Sequence, residues 1–122
     1  MAFAVTGKLK EDTAKLEEML SGTADLMNKE LLIGDIRLSF IMIEGMINLS
    51  LLAQMISRPL LGHDIGEHPK PAAIMDFIME QTVMAADQKQ VKTLDETVKL
   101  AMSGFVVIFI DGVPQAIALG AL

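Results

Sequence analysis

The chain has 122 residues, no cysteine, 52% hydrophobic residues and only 4% aromatic ones, with neither Trp nor Tyr. Sixteen acidic residues against ten Lys and Arg leave a net charge of −6. Together these figures exclude a disordered tail, a disulfide framework and a thiolate metal site. They also argue against a nucleic-acid surface, which needs basic charge and stacking rings. The length fits one domain over residues 1–122, with a core of ordinary size.

Met1 to Lys10 lack the apolar run and cleavage pattern of a secretory leader. Residues 8–21 read as a helix with Leu9, Thr13, Leu16 and Leu20 on one stripe. Glu11 and Lys15 form an i,i+4 pair on the wet side, and Gly22 stops the helix. Residues 26–33 allow helix or strand, and the Gly34-Asp35 step decides for a strand. In the next run Ile36, Leu38, Phe40 and Met42 alternate onto one face. Arg37 and Ser39, then Ile41 and Ile43, take the other, so this strand starts half-exposed and ends buried on both sides.

Glu44-Gly45 ends that strand, and Asn48 is placed to cap a helix carrying Leu52, Met55 and Ile56 inward. Pro59 is expected to close or kink it. A loop follows over 62–71. Pro71 then opens a third helix, about 72–81, apolar on most sides. A short strand is expected at 82–86 and a polar connection at 87–92. Thr93 and Glu96 match a capping box before a helix over 94–103, which should bury Leu94, Val98, Ala101 and Met102. Phe105–Ile110 is a continuous β-rich run, Asp111-Gly112 turns it, and a last strand covers roughly 114–119. Residues 101–122 are long enough to span a bilayer, but Asp111, Gly112 and Pro114 break the stretch, which reads as a hairpin. The order α-β-β-α-α-(β)-α-β-β describes an α/β (α+β) fold. A small mixed sheet is built from hairpins, with helices packed on it.

His63, Asp64, Glu67 and His68 are the strongest metal-ligand set, in a loop whose bland reading is solvated polar chain; its spacing lacks the helical zinc motif. A metal-dependent hydrolase would be centred there. Glu44 and Asp111 each precede a glycine at a strand end. If their strands lie side by side, both acids reach one sheet edge and could do acid–base work, although turn chemistry explains them as well. A polar small solute could then bind at the strand ends through turn amides and Glu44. Phosphate loops and nucleophile elbows are absent from the sequence, and no cofactor is implied. The ten methionines include Met42, Met46, Met55, Met75, Met79, Met84 and Met102. Most are expected to fill the core, and some to face another domain or chain.

Two segments carry a family resemblance. The first runs from Gly34 to Leu61, through Phe40-Ile41-Met42-Ile43-Glu44-Gly45-Met46-Ile47-Asn48 to Arg58-Pro59-Leu60-Leu61. The second runs from Leu100 through Gly104-Phe105-Val106-Val107-Ile108-Phe109-Ile110-Asp111-Gly112 to Ala116-Ile117. Over residues 25–118 the chain resembles the N-terminal soluble region of the A subunit of spore germinant receptors, the GerA family. The resemblance implies a non-catalytic part of a nutrient receptor of the spore inner membrane, on its cytoplasmic side. Its partners would be other subdomains and subunits of that receptor, and it would act in assembly or signal transmission. Glu44, Gly45, Asn48, Asp111 and Gly112 are the candidate ligand or interface residues. The family has Asp-Gly where this chain has Glu44-Gly45. It also continues into a second soluble subdomain and membrane helices, so the chain is expected to be an excised or truncated first subdomain.

Overall fold

The computed structural model describes residues 3–23, 25–62, 69–84 and 86–120. Helix α1 (Leu9–Met19) is followed by strands β1 (Leu26–Ile33) and β2 (Ile36–Ile43). Helix α2 runs through Leu49–Leu52, a widened turn Ala53–Ser57, and Arg58–Gly62. Then come α3 (Pro71–Thr82), β3 (Asp87–Val91), α4 (Leu94–Met102), β4 (Val106–Ile110) and β5 (Ala116–Gly120). The five strands form one sheet in the order β1-β2-β4-β5-β3. The fold is mixed α/β as expected, and all four strand pairings in the sheet are antiparallel.

Alternation along β2 and β4 divides the core. Leu38, Phe40, Met42, Val106, Ile108 and Ile110 face α2 and α3, meeting Leu52, Ile56, Leu60, Ile74 and Ile78. Ile41, Val107 and Phe109 face the other way, meeting Leu9 and Leu16 of α1 and Leu94, Leu100 and Ala101 of α4. Helices therefore cover both faces, which is why β4 and β5 are buried at all ten positions. Val106–Ile110 and Ala116–Gly120 are apolar for that reason, and no described helix is long and apolar enough to cross a membrane.

The Gly34-Asp35 hairpin is the two-residue kind, with Ile33 opposite Ile36 and Gly34 at φ +58°. Asn48 caps α2 by accepting from the Leu51 N–H at 3.0 Å, and Thr93 caps α4 by accepting from the Glu96 N–H at 3.3 Å. Pro71 begins α3.

Four expectations are corrected. Pro59 does not close α2, which runs on to Gly62. The helix widens before it, with the Arg58 N–H donating to Ala53 O five residues back. A widened turn relieves the clash between the proline ring and the carbonyl four residues earlier. The described residues of 82–86 are not a strand, because α3 runs to Thr82 and turns. The strand is instead Asp87–Val91, in the expected polar connection. It is polar because it lies at the sheet edge, pairing among the described residues with β5 and leaving Asp87, Lys89 and Gln90 exposed. Met102 is exposed, and Thr97 and Leu100 take the inward places on α4. Finally, Lys15 pairs with Glu18 at 3.6 Å and sits 4.2 Å over the Phe3 ring rather than joining Glu11.

Candidate functional site

The antiparallel sheet has two ends of different chemistry. At the first end lie the Gly34-Asp35 turn, the Asp111-Gly112 turn and the start of α1. The Asp111 carboxylate accepts from the Leu9 N–H at 3.1 Å, satisfying an orphan donor at the N-terminus of α1 from a residue far along the chain. The Asp111 N–H donates to Arg37 O at 2.9 Å, and the Gly112 N–H to Gly7 O at 2.7 Å. Gly112 sits at φ +95°, and a Cβ there would lie 2.9 Å from Pro71 Cγ. The loop before α1 is held by Asp12, which is buried. Its carboxylate accepts from the Thr6 N–H at 3.0 Å, the Thr6 hydroxyl at 2.8 Å and the Gly7 N–H at 3.2 Å. The amino-terminal segment is stitched on further by Val5 N–H to Lys92 O and Leu94 N–H to Phe3 O. The Asp111-Gly112 turn is thus a latch.

At the second end, β2 finishes, β4 begins, β5 finishes and β3 begins. Glu44 and Gly45 turn the chain there, with the Glu44 N–H bonded to Asp25 O at 2.7 Å. Met46 follows, half exposed, its Cε 3.2 Å from where a Cβ at Gly104 would stand. Met102 precedes Gly104 by two residues and is also exposed. Val83 and Met84, in the turn between α3 and β3, are 61% and 94% exposed. Large apolar side chains in turns gain nothing from water, so this end leaves transfer free energy unused, of order 1 kcal/mol or more per side chain. Methionine adapts to the shape of whatever covers it.

The register separates the two acids expected to meet. β2 and β4 do lie side by side, with Leu38 opposite Ile110. Because they run antiparallel, Asp111 falls beside Arg37 while Glu44 lies seven residues farther along β2, roughly 20 Å away. The expected carboxylate pair is therefore not formed. Of the candidate residues, Glu44, Gly45 and Asn48 belong to the methionine end, and Asp111 and Gly112 to the latched end. Glu44 and Asp111 are both exposed, and Asn48 is committed to its cap. His63, Asp64, Glu67 and His68 lie outside the described residues. Among the described residues no group of three or more His, Asp or Glu could hold a metal. Sequence reasoning missed Asp12, since nothing in the order of residues shows that this acid turns inward. It also placed Met102 inside.

A family model described as the Bacillus/Clostridium GerA spore germination protein matches residues 14–121 of the chain. No curated protein sequence matches. Among solved structures, the chain is similar to the N-terminal domain of the A subunit of the Bacillus megaterium spore germinant receptor GerK3, at a TM-score of 0.85 and 15% identity. That match covers 100% of this chain and 49% of the other, so the chain spans about half the length of the structure it resembles. At that identity the likeness is one of fold.

Proposed function

The chain belongs to the GerA family of spore germination proteins, and on that premise we propose that residues 1–122 are one subdomain, the first N-terminal one, of a germinant receptor A subunit. The reading is non-catalytic. The subdomain helps assemble the receptor or pass nutrient recognition onward, on the cytoplasmic side of the spore inner membrane. Its partners are neighbouring subdomains and subunits. One observation carries the proposal: the exposed large apolar side chains Met46, Val83, Met84 and Met102 all flank strands at the same end of the sheet. Several large apolar side chains exposed at one end of a small domain mark an interaction surface. The fold likeness supports it, because this unit amounts to half of a receptor domain in GerK3. In this reading Glu44, Gly45 and Asn48 set the shape of the docking end. Asp111 and Gly112 hold the opposite end rigid, so that a shift at the docked face moves the unit as one body.

The test is the triple substitution Met46→Ser, Met84→Ser and Met102→Ser in the full-length receptor. Receptor recovered from spore membranes, or the germination response at unchanged receptor level, is expected to fall several-fold. Assembly and response at wild-type levels would refute the docking role.

A further inference from the structure

The outer edge of β1 is eight residues long, and that of β3 is five. At β3 the neighbouring amino-terminal segment continues the edge through Val5–Lys92 and the Ala4–Thr93 bridge. Among the described residues β1 pairs only with β2, eight residues against eight, with no bulge in the register and no Pro or Gly in its sequence. Its centre is exposed, and Leu32 is 55% exposed. An unbulged edge of this length presents a row of backbone donors and acceptors to a further strand, with Lys29 and Glu30 as its charged side chains.

A groove of about 320 Å³ runs beside that edge, between the sheet and α2. Leu31 and Phe40 line it from the sheet, and Leu49, Leu52 and Ala53 from the helix. Lys29 and Glu30 are at its rim. The Glu30 carboxylate is bound to Arg37 at 3.0 Å on the opposite face of the sheet. The groove therefore reaches the strand at its edge rather than at the Glu30 carboxylate. Lys29 alternates onto the groove face, opposite Phe40 in the register, and makes no ion pair among the described residues.

We infer that β1 and this groove accept an extended segment of a partner protein as a sixth strand, one that places an acidic residue opposite Lys29 and an apolar residue opposite Leu31. Strand addition of this kind draws affinity from main-chain bonds and specificity from alternate side chains. Opposed residues of an added strand share a face, so the acid and the apolar residue are two positions apart in the partner. Lys29 supplies the charge that selects the acid. A second copy of this chain is a poor occupant. Residues opposed in an antiparallel pair point to the same face, so two β1 strands can pair seven residues in only two registers. One sets Lys29 against Lys29 and the other Glu30 against Glu30, and like charges directly opposed are destabilising. The inference concerns a different surface from the methionine end and does not depend on it.

The experiment is an array of acetylated heptapeptides built on alternating Thr, with Leu or Ser at position three and Glu or Lys at position five, the order that an antiparallel sixth strand requires, titrated against the 122-residue chain. Binding is followed by amide shifts and by hydrogen exchange in residues 26–33. The Glu/Leu peptide is expected to bind at least fivefold tighter than the Lys/Leu and Glu/Ser peptides and to slow exchange at alternate β1 amides. Lys29→Glu, a surface change that keeps the fold, is expected to reverse the preference. N-methylation of alternate peptide amides is expected to abolish binding. Equal or absent binding across the array would overturn the inference. So would an order that survives Lys29→Glu, or protection of β1 that rises with chain concentration and no peptide. Failure here leaves the receptor-docking reading standing, because the methionine substitutions test a different end.

Discussion

Around Asp111 and Gly112 three stretches of chain bond to one another, whereas around Met46, Met84 and Met102 the turns end in apolar side chains that touch little. The first end joins Gly7, Leu9, Arg37, Asp111 and Gly112 through backbone donors and one carboxylate. The second has ordinary turn bonds, such as Glu44 to Asp25, and leaves its largest side chains outside. Both ends close the same five strands, so the sheet itself does not impose the difference. A region whose polar groups are satisfied internally has finished its interactions. A region that exposes methionine has not, and its stabilisation comes when something else covers it. The two ends should therefore respond oppositely to substitution: the latched end in stability, the methionine end in association.

The largest effect is expected at Asp12. Removing its carboxylate by Asp12→Ala strips the acceptor from the Thr6 and Gly7 amides and the Thr6 hydroxyl in a buried place. Unsatisfied buried donors cost about 1–3 kcal/mol. Denaturant unfolding of the 122-residue chain should show a loss of about 2–3 kcal/mol, with the slope of the transition unchanged. A loss under 0.5 kcal/mol would mean that the loop before α1 is not held as described, and the contrast between the ends would weaken.

Asp111 comes next. It acts as a cap for α1 from a distant turn, and caps are worth about 1 kcal/mol. Asp111→Ala is expected to lower stability by about that amount. Asp111→Asn keeps an acceptor oxygen for the Leu9 amide and is expected to retain more than half of it. If the two variants lose equally, the charge acting on the helix dipole, rather than the hydrogen bond, provides the stabilisation. Either variant should leave peptide binding at β1 unaltered, since β1 and β4 are separated by β2 in the sheet.

Much of the fold can be read directly from the residues. The alternation Ile36 to Met42 with Gly34-Asp35 before it specifies a hairpin, and Thr93 with Glu96, Asn48 and Pro71 mark helix starts where helices start. These are local signals, set within a few residues by period, cap and turn chemistry. What escaped is long-range. Asp87–Val91 is a polar stretch that becomes a strand only because β5 offers it an edge, and no periodicity within five residues shows that. The separation of Glu44 from Asp111 follows from β2 and β4 being antiparallel neighbours, a pairing between segments more than sixty residues apart. Met102 faces outward because Thr97 and Leu100 take the buried places while Val98 packs only partly against the core, a rotation of the helix that its mixed apolar pattern leaves undetermined. The family was legible in the two apolar segments around Glu44-Gly45 and Asp111-Gly112. The site was legible only in part: its turn residues were named, but their grouping depends on topology.

The smallest stability effect is expected at Met84, and it sharpens the comparison most. Met84 is 94% exposed and belongs to neither core cluster. Surface substitutions away from special features stay within about 0.5 kcal/mol. Met84→Ser should therefore leave the melting temperature of the 122-residue chain within about 2 °C of the parent. A clear destabilisation would show that Met84 already packs against its own domain, and the exposed end would lose its strongest member. A neutral result separates folding from association at this position. Any loss of receptor assembly produced by the methionine substitutions can then be assigned to the missing contact, because the unit that should make it is still folded.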